Sequence, residues 1–171
     1  MAVRSIVSTF ILALFTFQGM AVDATVKKID DAVPAAFSDA VRGLDYSHKI
    51  AVSLDGKMSA RIWLVGSPQA AASPSTELGV SFGKIETGSL VGVIELVEPW
   101  SDYKQNPVQP GCYTMRYEIM PADGNHMGVS TYRDYLLLVP ASLDQDPAKI
   151  LEYVDLVAAS FEATGVPHPA V

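Results

Sequence analysis

The sequence predicts a mostly β, antiparallel fold, a sandwich of jelly-roll or immunoglobulin-like kind, with a short N-terminal helix and one amphipathic C-terminal helix. Three observations carry this expectation. Asp55-Gly56 stands between two alternating apolar runs, the strongest short-range signal for a hairpin. Turn residues recur throughout the middle of the chain with no strand–helix–strand alternation, which argues against a doubly wound parallel sheet. The hydrophobic period then changes near residue 146 from that of a strand to that of a helix. An open β-barrel is the alternative architecture.

Residues 1–24 read as a cleavable secretory signal. Arg4 is the positive n-region, and 6–17 is an apolar stretch broken only by Ser8, Thr9 and Thr16. That run is too short for a bilayer, which needs about 20 apolar residues. Ala24 with Val22 at −3 fits the last residue removed, and Ala21 is the close second. Removing 24 of 171 residues leaves 147, and the net charge stays at −7 because Arg4 and Asp23 leave together. A chain of this length reads as one β-rich domain over 46–171, preceded by an extension over 25–45. No second stretch is long enough to cross a membrane.

The elements follow in order. Residues 25–33 read as a loose mature N-terminus. A short helix is expected over 34–41, with Pro34 in its first turn and Gly43 after its end. In 49–54, Ile50, Val52 and Leu54 share one face; in 57–65, Ala60, Ile62 and Leu64 alternate against Arg61, Trp63 and Val65. The Gly-, Ser-, Pro- and Ala-rich 66–77 is a loop, and 78–82 a short strand. Residues 90–97 are nearly all apolar, as in a strand buried on both faces. After a loop over 98–111, residues 112–120 form a strand with Tyr113, Met115, Tyr117 and Ile119 on one face and Thr114, Arg116 and Glu118 on the other. A loop over 121–131 leads to a last strand over 132–139. Asp146 is a good N-cap and Pro147 suits the first helical position. The stripe Ile150, Val154, Val157, Phe161 should face the core, and Gly165 should end the helix.

Charge and cysteine count exclude several classes. Lys27-Lys28 is the one adjacent basic pair of an acidic chain, so nucleic acid is not an expected partner. Cys112 is the only cysteine, so no intrachain disulfide forms and no lipoprotein anchor exists at the cleavage site. It opens an apolar strand and is expected to be buried.

Three segments form a distinctive series: Pro110-Gly111-Cys112-Tyr113-Thr114-Met115-Arg116-Tyr117; then Asp123-Gly124-Asn125-His126-Met127-Gly128; then Arg133-Asp134-Tyr135-Leu136-Leu137-Leu138. With the late His168-Pro169, the series resembles a group of secreted proteins of environmental bacteria. That group shares P-G-x-Y-T-x-R-Y, D-G-x-H-x-G and R-D-[FY]-L-L-L in the same order. The resemblance spans about 46–171. It implies export and a common fold, and no particular reaction.

The 123–134 loop is the place for chemistry. His126 can ligate metal or move protons near neutral pH, Asp123 supplies an oxygen beside it, and His168 could join them in space. Equally, Asp-Gly-Asn is ordinary turn chemistry. Arg116, Arg133 and Asp134 are candidate ligand-binding residues, since an arginine clamps an anion bidentately; the alternative is an Arg–Asp pair that holds the loop shut. Tyr113 suits a corner hydrogen bond. Ser130 near His126 lacks a G-x-S-x-G setting, and Cys112, His126 and Met127 lack the clustering of a blue-copper site. No specific motif indicates a cofactor. Trp100 and Tyr103 could mark a surface for a protein or small-molecule ligand; the alternative is that they pack the 98–111 loop down. The expected function is an exported, periplasmic or extracellular, non-catalytic binding or structural module. The alternative is a metal-binding protein or metal-dependent enzyme centred on 123–134.

Overall fold

The structure, a computed structural model, describes residues 22–122, 130–166 and 168–171. In chain order the elements are β1 (Ala24–Lys28), α1 (Asp39–Arg42), β2 (Tyr46–Leu54), β3 (Lys57–Val65), β4 (Leu90–Leu96), β5 (Trp100–Ser101), β6 (Pro107–Val108), β7 (Gly111–Ile119), β8 (Asp134–Pro140) and α2 (Tyr153–Thr164). Six strands form one antiparallel sheet in the order β1-β2-β3-β4-β7-β8, and β5 and β6 pair as a small ribbon. The mostly β, antiparallel class and the two helices are those the sequence predicts.

The β2–β3 hairpin forms at Asp55-Gly56, which take φ of 48° and 77°. Positive φ at both central residues is what the tight hairpin turn demands. On one side of the sheet, Ala60, Ile94, Leu96, Tyr113, Met115 and Tyr117 pack under Trp100 and Val108 of the ribbon, Ala163 of α2 and the tail at Ala170. On the other side, Trp63 and Val93 pack under Phe37, Val41 and Tyr46. Trp63 Nε1–H donates to the Asp31 carbonyl at 2.9 Å, which fastens the N-terminal extension there. β4 is therefore covered on both faces, and each fully buried aliphatic side chain contributes about 1.5–3 kcal/mol.

At Leu138 the outer edge of β8 is covered by α2 and the C-terminal segment. Leu138 N–H donates to Ala170 O at 3.1 Å, and the Ser160 hydroxyl donates to Leu138 O at 2.7 Å. Pairing these edge groups removes a template for association with other chains.

Five expectations are corrected. Residues 25–33 are not wholly loose: β1 pairs with β2 from Ala24↔Leu54 to Lys28↔Ile50. All five of its residues are exposed, so no hydrophobic period marks it. Residues 78–82 form turns and not a strand, because the Ser81 and Phe82 amides donate to the Asp134 carboxylate instead of a ladder. The C-terminal helix begins at Tyr153 rather than after Asp146. Asp146 Oδ1 accepts from Ala148 N–H, and the carbonyls of Asp146 and Lys149 accept from Arg116, so they are not free to start a helix. The helix buries Leu156, Ser160, Ala163 and Thr164, leaving Val154 exposed and the expected stripe displaced. At the N-terminal end, α1 is shorter than expected, four residues capped by the Ser38 hydroxyl, which accepts from Val41 N–H.

Candidate functional site

Three polar constellations surround the β7–β8 pair, and the sequence pointed to residues in each. The first lies where the segment between β3 and β4 folds against the start of β8. Asp134 is the first residue of β8. Its carboxylate accepts from Ser81 N–H at 2.7 Å, Phe82 N–H at 2.9 Å and the Tyr117 hydroxyl at 2.7 Å. Burial pushes the Asp134 carboxyl up, but these donors, together with its own backbone N–H, outweigh it and hold it below the ordinary carboxylate range. Tyr117 is pushed the other way, by burial and then by its bond to Asp134.

Arg133 works beside it. Nε–H and Nη2–H donate to the Met120 carbonyl at 2.9 and 2.7 Å, and Nη1–H to the Glu77 carboxylate. The Arg133 backbone N–H donates to Gly79 O at 2.8 Å. Gly79 has φ of +85°, and a Cβ there would lie 3.1 Å from Thr131 O. Two consecutive side chains thus clamp residues 77–82 onto the end of the sheet. Their hydrogen-bonding groups serve residues 77–82 and Met120, each through its own partners; the loop over 121–131, which an Arg–Asp pair was expected to hold shut, lies mostly outside the described residues.

The second constellation is buried. Thr114, Arg116 and Glu118, which alternate along one face of β7, are 0%, 0% and 5% exposed. Arg116 Nε and Nη2 grip the two Asp144 oxygens at 2.8 and 2.7 Å. Nη1 reaches Gly88 O at 3.0 Å and Lys149 O at 2.5 Å, and Nη2 also reaches Asp146 O at 3.0 Å. Five contacts match the five guanidinium N–H groups. The Thr114 hydroxyl donates to Asp144 as well, at 2.5 Å. Arg116 therefore has no donor left for a ligand, which corrects its reading as a binding residue. Gly88 permits this packing: a Cβ at that position would fall 2.1 Å from Leu151 O. Glu118 is pushed up to about 7, first by burial; the Ile119 N–H opposes and the Glu152 charge adds to the rise.

The third constellation holds His168. Its Nδ1 lies 3.4 Å from Asn106 Nδ2, 4.0 Å from Asp102 Oδ2 and 2.8 Å from Pro169 O. Asp102 Oδ1 accepts from Asn106 N–H at 2.7 Å, so this is a small loop clasp between β5, β6 and the tail. Asp123 and His126 lie outside the described residues, as do Met127 and the D-G-x-H-x-G segment. Among the described residues, no three His, Cys, Asp or Glu side chains gather where they could hold a metal ion. His48 pairs with Ser47 on the exposed side of β2. Tyr113 donates to Gln109 O at 2.7 Å, a local corner bond. Cys112 is half-buried, less enclosed than expected, with its thiol pushed up by burial and by Glu95 against an opposing Arg61.

Beside the clamp lies an apolar pocket. Phe82, Ile85, Val91, Tyr117, Tyr135 and Leu136, with Asp134 at the wall, line a pocket of about 260 Å³. Phe82 is 61% exposed at its mouth and Leu136 36%. Leu78 and Tyr132, which precede the hydrogen-bonded pair Gly79 and Arg133, are 95% and 66% exposed. Trp100 is half-buried in the ribbon core and does not join this surface. The sequence signalled Asp134 and Arg133 but not the pocket, whose lining comes from 82–91, 117 and 134–136 at no fixed spacing.

No family model, curated protein or solved structure matches the chain. Among the described residues, no helix is long and apolar enough to cross a membrane.

Proposed function

We propose that this is an exported, periplasmic or extracellular binding module without catalysis, which receives an apolar side chain of a partner protein or peptide in the pocket beside Asp134. The observation that carries the reading is the contrast between polar and apolar groups around β8. Arg133 and Asp134 are engaged in holding residues 77–82 and Arg116 in holding 144–149, while Phe82 and Leu136 stand open at the rim. A cavity of about 260 Å³ is smaller than sites that enclose whole small ligands, about 300–1,000 Å³, and suits one anchoring side chain. Exposed apolar groups gathered at a rim mark interaction surfaces more than scattered ones do. Export rests on the apolar stretch over 6–17 and the small residues after it.

The test is selection from a displayed random-peptide library against protein purified from the exported fraction, with Leu136→Glu and Val154→Glu as controls. Val154 is 75% exposed on α2. Enriched peptides should carry an aromatic or aliphatic anchor, bind Val154→Glu normally and lose Leu136→Glu. Peptides that bind both variants alike would refute the pocket as the recognition site.

A further inference from the structure

Two alanines satisfy the small-residue requirement of a leader peptidase, Ala21 and Ala24, and the sequence alone favours the second. The pairing of β1 argues for the first. Ala24 is the first residue of β1, paired with Leu54, and Thr25 is paired with Ser53, so the Ala24–Thr25 bond lies inside a hydrogen-bonded strand. Just before it, Asp23 N–H donates to Asp55 Oδ1 at 2.9 Å, and Asp55 N–H donates to Asp23 O at 2.8 Å. That reciprocal pair ties the chain to the turn of the β2–β3 hairpin. Cutting after Ala24 would remove Asp23, both of these bonds and the first residue of the strand. Cutting after Ala21 keeps all of them and leaves Val22 as a free end.

We infer that the mature chain begins at Val22, by hydrolysis of the Ala21–Val22 peptide bond. Water adds across that bond: Ala21 leaves with the leader as a carboxylate, and Val22 gains an α-amino group. Proteases act on extended, unpaired backbone, so a strand that has already joined its sheet resists a cut at Ala24, whereas Ala21 precedes both the Asp23–Asp55 pair and the strand. If cleavage instead precedes folding, the same cut is the one that delivers an intact edge strand to β2. Mature protein then retains Asp23 while losing Arg4, so its side-chain charge is one unit more negative than that of the precursor, −8 against −7. The inference rests on the export reading, and the experiment separates the two.

The full precursor, with its own leader, is produced in a bacterial host with two membranes, and the N-terminus of the exported protein is sequenced. The result expected is Val22-Asp23-Ala24-Thr25. A mature chain starting at Thr25 would overturn the inference and leave export standing. Uncleaved protein confined to the cytoplasm would overturn export and the inference together. Two variants sharpen the reading. Ala24→Leu places a large side chain at an exposed strand position and should be processed as fast as wild type; Ala21→Leu should accumulate precursor. Accumulation with Ala24→Leu and normal processing with Ala21→Leu would reverse the assignment.

Discussion

Removing the Arg116 guanidinium should be the most damaging single change available on β7. In Arg116→Met, the Asp144 carboxylate loses both bonds of its bidentate partner while staying enclosed, with a side chain only 3% exposed. Three carbonyls, of Gly88, Lys149 and Asp146, lose a donor at the same time. The Thr114 hydroxyl still reaches Asp144, so the carboxylate is not bare. Breaking one side of a buried pair costs about 3–5 kcal/mol, mostly because a charge is left uncompensated. For a domain of this length each kcal/mol lowers Tm by about 2–4 °C, so the loss is roughly 10 °C. Urea unfolding followed by tryptophan fluorescence measures it, since Trp63 sits in the core on the same sheet. Arg116→Met with Asp144→Leu should recover much of the loss, because an apolar pair of similar volume avoids the stranded charge. Arg116→Lys should fall between, as an ammonium cannot reproduce the planar fork. A loss under about 1 kcal/mol in Arg116→Met would refute this account of the buried pair.

Tyr117→Phe should cost about 1 kcal/mol and accelerate amide exchange at Ser81 and Phe82, because Asp134 loses one of its donors; unchanged exchange would show that the clamp does not depend on that hydroxyl. Glu118 gives a pH dependence whose sign is fixed: its carboxyl rises from 4.5 to about 7 in the folded state, so the native protein holds a proton that the unfolded chain has released. Stability from this group is full below about 4.5 and falls as pH rises to about 7, and Glu118→Gln should flatten that fall in urea titrations across the window. Cys112, half-buried with its thiol pushed up, should react slowly with iodoacetamide at pH 7 and rapidly once unfolded; equal rates would contradict the burial argument.

Much of the fold was legible because local chemistry and tertiary structure agree. Asp55-Gly56 supplies the two positive-φ residues of its turn, and the apolar run after Leu90 is buried on both faces as its composition requires. β1 was not legible, because its register comes from Asp23 and Asp55 rather than from any hydrophobic alternation. The C-terminal helix shows the opposite failure. Asp146-Pro147 is a sound local start signal, but Arg116, some 30 positions earlier, occupies the carbonyls that would begin the helix. The partner of Arg116 was equally hidden: Asp144 lies 28 residues away, with nothing in the spacing to link them. At the candidate site, Arg133 and Asp134 stood out as charged residues at a loop–strand junction. Their engagement with Glu77, Ser81 and Phe82 depends on a chain reversal of about 50 residues that no local pattern encodes.

The central claim is that the pocket beside Asp134 is the recognition site. A titration of isotope-labelled protein with indole, followed by backbone amide chemical shifts, tests it most directly. Saturable shifts at Phe82, Tyr135 and Leu136 that vanish in Leu136→Glu are the predicted result. Shifts absent from those residues, or unchanged in the variant, would contradict it.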